Sequence, residues 1–310
     1  MPRVSRGMPT LWRSLNALVV CLAPAVARGQ AVAEPPQIAW RPRVPLEGSV
    51  ILLGLRLPHD SGDSVVAVQG ELAGEALHFE RVADEFHAIA AIPLGAATGV
   101  AARVTIVRAD GASDTVVASL PVGRRRAPRE RLHVAPDLVQ PPESLGERIG
   151  AERERVQDVR RRAHDTPRLW REPFTRPRPG AVTGRFGVAR VFNGVLRSRH
   201  MGVDFAGRRG AAVRAANRGV VALVADLYLS GTTILIDHGA GLVTGYFHLS
   251  RALVSVGDSV ARDQLIGHVG ASGRVTGPHL HWLAAYGGLT VDPLSLVHLD
   301  FDAPLTFGIR

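Results

Sequence analysis

Three short patterns in this 310-residue chain hold residue types that can do chemistry together. His200-Met201-Gly202-Val203-Asp204 sets an imidazole and a carboxylate four residues apart. Tyr246-Phe247-His248-Leu249-Ser250 carries one imidazole inside a β-prone run. Gly277-Pro278-His279-Leu280-His281-Trp282 carries two, spaced by two. On a strand, residues i and i+2 point to the same face, so His279 and His281 can approach one centre together. Zinc takes about four ligands from imidazole, thiolate and carboxylate. Two His and one Asp leave a position open for water, as catalytic rather than structural zinc sites do. Such a water has its pKa lowered to about 7, which makes a nucleophile for amide hydrolysis. Each pattern alone is common, and a single His on a strand is usually a hydrogen-bonded structural residue. Their concentration is the signal: six of the twelve His lie between positions 200 and 281.

These side chains need a β framework. From Gly180 to about 300 the chain is Gly-rich and β-patterned. Thr232–Asp237 and Leu242–His248 alternate and are joined by His238-Gly239-Ala240-Gly241, which predicts a hairpin. The region therefore reads as an antiparallel β domain with few helices. Upstream, short β-prone runs recur from 43 to 122, separated by turn signals at 59–63 and Asp110-Gly111, as in a small antiparallel sandwich. Residues 28–43, rich in Ala, Pro and Gln, read as a linker. Residues 123–179 form a charged connector. Leu145 to Ala163 is expected as a largely exposed helix with an apolar stripe of Leu145, Ile149, Val156 and Val159. Glu152/Arg155 and Asp158/Arg161 are its expected ion pairs. Pro167, Pro173, Pro177 and Pro179 then impose an extended strap. His238 and His268, which lie near the motifs, are expected to be structural.

Composition narrows the setting. The 37 basic residues are all Arg and face 28 acidic ones, a net charge of +9. That suits an anionic polymer without choosing one. Residues that are 46% hydrophobic exclude wholesale disorder. A single Cys excludes a disulfide framework and any Cys-rich metal site. Residues 1–27 read as a secretory signal peptide: Arg3, Arg6 and Arg13, an apolar run from Leu15, and Ala25-Val26-Ala27 at its end. The run is too short to span a bilayer as a helix. Export to the periplasm or the exterior, with no stable membrane span, is the expected localisation. A nucleic-acid partner is not expected, because the chain carries an export signal and no aromatic-basic RNA motif.

The segment from Gly180 to Pro293 resembles the lysostaphin/LytM-type zinc metallopeptidases, which are peptidoglycan endopeptidases. The resemblance rests on Gly184-Arg185-Phe186-Gly187, on the three chemical patterns, and on Val213–Val221 and Ile236-Asp237-His238-Gly239, which fall between the first and second of those patterns. It implies one zinc per chain held by His200, Asp204 and His281, with His248 and His279 as catalytic residues. It implies hydrolysis of peptidoglycan peptide cross-links by a zinc-bound water. The alternative is a catalytically silent LytM-type protein that binds the wall or activates an amidase. The 43–122 sandwich resembles the immunoglobulin-like modules that often precede such domains. The implied fold is mainly β: an immunoglobulin-like sandwich, a helical connector over 123–179, and a LytM-type peptidase domain over 180–300. The loop Gly270–Gly277 is poorer in Thr and Ser than is usual in the family, and Leu283 stands where an acidic residue is common. Both bear on substrate detail. Asn193 is either a turn residue or a substrate contact. A segment starting near Pro173 is expected to fold and act alone.

Overall fold

Alternating apolar side chains build two facing sheets at the start of the computed structural model, which describes residues 34–58, 64–126 and 128–307. The expected signal peptide over 1–27 and the turn at 59–63 lie outside the described residues. The first four strands are β1 (Gln37–Arg41), β2 (Val50–Arg56), β3 (Val65–Leu72) and β4 (Glu75–His78). Then come β5 (Glu80–Val82), β6 (Glu85–Ala91), β7 (Gly99–Arg108) and β8 (Ser113–Pro121). They form antiparallel sheets of order β1-β2-β6-β5 and β4-β3-β7-β8. Ile51, Leu53, Leu55, Ala88 and Ala90 of one sheet pack against Leu72, Ala102, Val104 and Ile106 of the other. The strand β1 falls where a linker was expected. Its pairing with β2 and the packing of Ile38 and Trp40 outweigh the Pro-rich composition around it.

The first sheet is covered on its other face as well. Val50, Leu52, Ile89 and Ala91 join the core of the C-terminal region. This is why β2 reads as an unbroken apolar run: strands buried on both faces lose the polar alternation. Pro35–Arg310 accordingly forms one compact unit.

The connector holds β9 (Arg129–Leu132), the short α1 (Pro136–Val139) and α2 (Gly146–Arg162). Within α2, Ile149 and Val159 are buried, as the stripe predicts. Asp158 pairs with Arg161 at 3.6 Å, but Glu152 pairs with Arg148 at 2.7 Å rather than with Arg155. Its second oxygen accepts the Tyr228 backbone N–H, which fixes the carboxylate on that side. Arg160 is buried and donates to the carbonyls of Gly287 and Gly288 at 3.0 and 2.7 Å. In the strap that follows, Trp170 and Phe174 are buried in the main core, their rings 5.1 Å apart.

The C-terminal region begins with β10 (Val182–Gly184), β11 (Ala189–Phe192), β12 (Leu196–Arg199) and β13 (Val203–Ala206). It continues with β14 (Ala212–Arg214), β15 (Gly219–Leu227), β16 (Gly231–Gly239) and β17 (Leu242–Ala252). It ends with β18 (Ser259–Val260), β19 (Leu265–Val269), β20 (His279–Tyr286), β21 (Leu289–Val291) and α3 (Pro293–Val297). Ten strands make one sheet whose main path is β10-β13-β20-β17-β16-β15-β18, antiparallel throughout. A separate three-stranded sheet joins β12 and β11 to β9, which runs parallel to β11. The turn expected at 238–241 links β16 to β17.

Beneath the large sheet lies a buried polar chain. His238 Nδ1–H donates to the Arg218 carbonyl at 2.7 Å, and its Nε2 lies 2.7 Å from the Thr244 hydroxyl. That hydroxyl is 3.0 Å from Tyr246 Oη, which accepts the Ala216 N–H at 2.8 Å. His238 is thus structural, as expected. Burial pushes it down to about 4 from an ordinary 6.5. The unfolded chain therefore takes up this proton first as pH falls. The stabilisation from a neutral His238 is full above 6.5 and is lost as pH drops towards about 4. Between about pH 7 and pH 4.5 the melting temperature is expected to fall more steeply for the native sequence than for His238→Gln. Equal slopes in differential scanning would remove His238 as the source.

Candidate active site

The pleat of β20 sorts its side chains. Leu280 and Trp282 point into the core, while His279 and His281 share the opposite face. On the neighbouring strand Asp204 stands directly across from His281. His200 lies just before β13 and reaches the same point. His200 Nε2, Asp204 Oδ1 and His281 Nδ1 are 2.8–3.0 Å from one another. Gly202 permits this approach, since a Cβ there would stand 2.6 Å from the His281 ring. The other His200 nitrogen, Nδ1, donates to the Arg185 carbonyl at 2.9 Å. A carbonyl can only accept, so this contact puts the proton on Nδ1 and turns the Nε2 lone pair towards Asp204. His281 is held from the side by Phe247, whose ring stacks on it with centroids 5.3 Å apart.

His248 reaches the cleft by a different device. Thr232 pairs with Leu249 and Ile234 with Tyr246, so Phe247 and His248 together face one residue of β16. This bulge puts His248 at φ +61°, a left-handed conformation uncommon outside glycine. Bulges re-aim side chains, and the His248 ring comes to 5.0 Å from that of His279. His248 Nδ1–H donates to the Ser272 carbonyl at 2.8 Å, and His279 Nδ1–H to the Gly277 carbonyl at 2.9 Å. Both rings therefore leave Nε2 as the free nitrogen. For His279 that atom is 3.7 Å from Asp204 Oδ1.

Electrostatics follow from burial and crowding. Burial raises the Asp204 carboxyl, but its contacts with His200 and His281 outweigh this and hold it well below the usual carboxylate range. Burial, then the neighbouring His281 and His279, push His248 down to about 3. Burial likewise pushes His281 to about 4. All three groups thus favour the forms that can donate electron pairs to a cation.

A cleft of about 400 Å³ lies over these residues. Glu130, Leu132 and Val134 of the connector line one wall, and the 274–278 segment lines the other. Arg190 on β11 bridges wall and floor: it donates to Glu130 at 3.0 Å and to Asp204 Oδ2 at 2.7 Å. Asn193 sits in the β11–β12 turn and exchanges hydrogen bonds with the Val134 backbone at 3.0 and 2.8 Å. It is a turn residue that pins the connector.

Residues 198–293 match the model of peptidase family M23. This stretch is an M23 domain. The peptidoglycan DD-endopeptidase ShyA of Vibrio cholerae is 41% identical over 95 residues, 31% of this chain and 22% of that protein. The DD-carboxypeptidase/endopeptidase Mpg of Neisseria meningitidis is 39% identical over 97 residues, again 31% and 22%. The chain thus spans about a fifth of the length of these curated relatives. A Pseudomonas aeruginosa crystal structure described as a candidate M23 peptidase is 26% identical with a TM-score of 0.62. It covers 82% of this chain and 94% of its own, so the likeness extends well beyond the M23 domain.

Of the sequence-predicted residues, Asp204, His248, His279 and His281 line this cleft and His200 lines the adjoining hollow, and His200, Asp204 and His281 could hold a metal ion. His268, on β19, does not join them. Sequence reasoning missed Arg190, Glu130 and Arg274. Nothing in spacing separates two Arg from the other 35. Glu130 was hidden in a segment whose charge density reads as a solvated connector.

Proposed function

We propose that this chain is a zinc-dependent endopeptidase that hydrolyses peptide cross-links of peptidoglycan after export to the periplasm or exterior. The observation that carries the reading is the convergence of His200 Nε2, Asp204 Oδ1 and His281 Nδ1 within 3.0 Å. Two imidazole nitrogens and a carboxylate oxygen are a zinc-type donor set, and the Arg185 contact already fixes His200 in the metal-binding tautomer. Zinc held there would supply Lewis-acid polarisation and a water acidified towards neutral pH. The chain's own residues supply the rest. His248 and His279 present Nε2 atoms to the cleft, where each can accept a proton and pass it on. The Ser272 and Gly277 carbonyls hold the Nδ1–H of each ring, so Nε2 is the atom that gains and loses the proton. Arg190 holds the second Asp204 oxygen, so the carboxylate cannot rotate away. A silent wall-binding protein would have no need of this complete set, and nothing in the cleft favours that reading.

The names of the relatives support peptidoglycan as the substrate class. Among the described residues, no helix is long and apolar enough to cross a membrane. We also read the N-terminal module as immunoglobulin-like. Its order β1-β2-β6-β5 with β4-β3-β7-β8 corresponds to ABED facing C′CFG in such sandwiches.

Purified wall material and elemental analysis test the reading. Zinc-loaded protein is expected to release cross-link peptides, and chelation to stop it. His279→Ala and His248→Ala should keep the metal and lose about 10²–10⁴ in turnover. Near-native cleavage by either variant would withdraw its catalytic role.

A further inference from the structure

The 270–277 loop carries Arg274 into the cleft. The position of Arg274 is built, not adventitious. Its backbone N–H donates to the Leu229 carbonyl at 2.8 Å. Two residues earlier, Ser272 Oγ accepts the Thr232 N–H at 2.9 Å and donates to the Leu249 carbonyl at 2.8 Å. Between them Gly273 lies so close to the β15–β16 turn that a Cβ would stand 2.6 Å from the Leu229 carbonyl oxygen. Only glycine fits, and it sits at φ +75°. The guanidinium then stacks on Phe192, 4.7 Å from the ring centroid.

The charge of Arg274 has no counterpart. Among the described residues its guanidinium makes no hydrogen bond and no ion pair, although it is half-buried. Burial and the charges of Arg153 and Arg190 all act against its protonated form. Arg190 is satisfied by Glu130 and Asp204; Arg274 is not. A half-buried cation beside two others is unfavourable unless something anionic completes it. The side chain lines both halves of the cleft, next to His248 and His281. A planar guanidinium fixed on an aromatic face matches a carboxylate by two parallel hydrogen bonds.

We propose that Arg274 is the specificity-determining anchor for a substrate carboxylate, so that this cleft selects peptides bearing a free carboxylate close to the scissile bond. This rests on the peptidase reading above. Two sources share that chemistry: the α-carboxylate at a peptide end, and a side-chain carboxylate of a cross-linking residue.

The test uses the full chain loaded with zinc and three dimeric muropeptides. One has free carboxylates, one is amidated at the peptide end, and one is amidated at the side-chain carboxyl of the cross-linking residue. Native protein is expected to lose about 10- to 100-fold in kcat/KM, mainly through KM, on one amidated compound and not the other, which names the source. In Arg274→Gln the ratio between free and amidated compounds should fall to about one, and Arg274→Lys should restore part of it. Calorimetric titration of His279→Ala protein with the same compounds reads binding without hydrolysis, and should show the same preference. If nothing is cleaved but the binding preference holds, the peptidase reading fails and the anchor stands. Equal binding of all three compounds by native Arg274 protein, or a preference that survives in Arg274→Gln, overturns the anchor.

Discussion

His281→Ala protein is expected to purify folded and without stoichiometric zinc, and to leave wall peptides uncut. The reason is the sharing of one point by three donors. With Nδ1 of His281 removed, His200 and Asp204 remain as a two-donor set, and zinc sites keep at least three protein ligands. The fold should survive, because His281 faces the cleft and its strand neighbours Leu280 and Trp282 carry the core packing. The ring does lose its stacking with Phe247, and a pair of that kind contributes about 0.5–1.5 kcal/mol. His268→Ala is the matched control: a His of the same sheet that lies outside the cluster, whose loss should leave metal content unchanged. Full zinc retention by folded His281→Ala would falsify the proposed ligand set.

The second large effect concerns where the chain can be cut. A chain beginning near Pro173 is expected to be insoluble or to melt well below the full chain. This reverses the expectation drawn from sequence, and the reason is packing. Such a chain lacks Trp170, a fully buried ring, and large-to-small losses of that kind cost about 3–5 kcal/mol. It lacks α2, whose Val159 packs with Leu235, Val243 and Phe247 of the sheet. It lacks the module strands that close the main core through Val50, Leu52 and Ile89. Domains of this kind have only about 5–15 kcal/mol to lose. It also lacks Glu130, leaving Arg190 with Asp204 alone. A cooperative melt within a few degrees of the full chain, with zinc bound, would show that the C-terminal region stands by itself.

The cluster was legible in sequence because its chemistry is rare. Few residues bind zinc, and the HxH pattern on a strand puts two imidazoles on one face; that His281 rather than His279 joins His200 and Asp204 was implied only by the family resemblance. The helix α2 was legible through its stripe, and the hairpin at 238–241 through its turn residues. What escaped was set by distant partners. No local pattern announces that β9 will lie parallel to β11, 60 residues away along the Arg190–Glu130 pair. Nor does a Pro-rich stretch announce β1, whose strand character comes from the edge of β2. Arg274 was invisible for another reason: what marks it is a missing partner, which a sequence cannot display.

The sheet β1-β2-β6-β5 lies between two cores, and that restricts how this architecture can vary. Successive residues of β2 answer to different neighbours: Leu53 to the facing sheet, Leu52 to the C-terminal half. A substitution pair that repacks one side leaves the other side as it was, but replacing the whole module changes both at once. Recombination that imports a foreign N-terminal module would therefore have to import its outer face already fitted to this C-terminal half. Lineages carrying this arrangement should diversify their cleft loops, such as 270–277, far more freely than they exchange the module that precedes them.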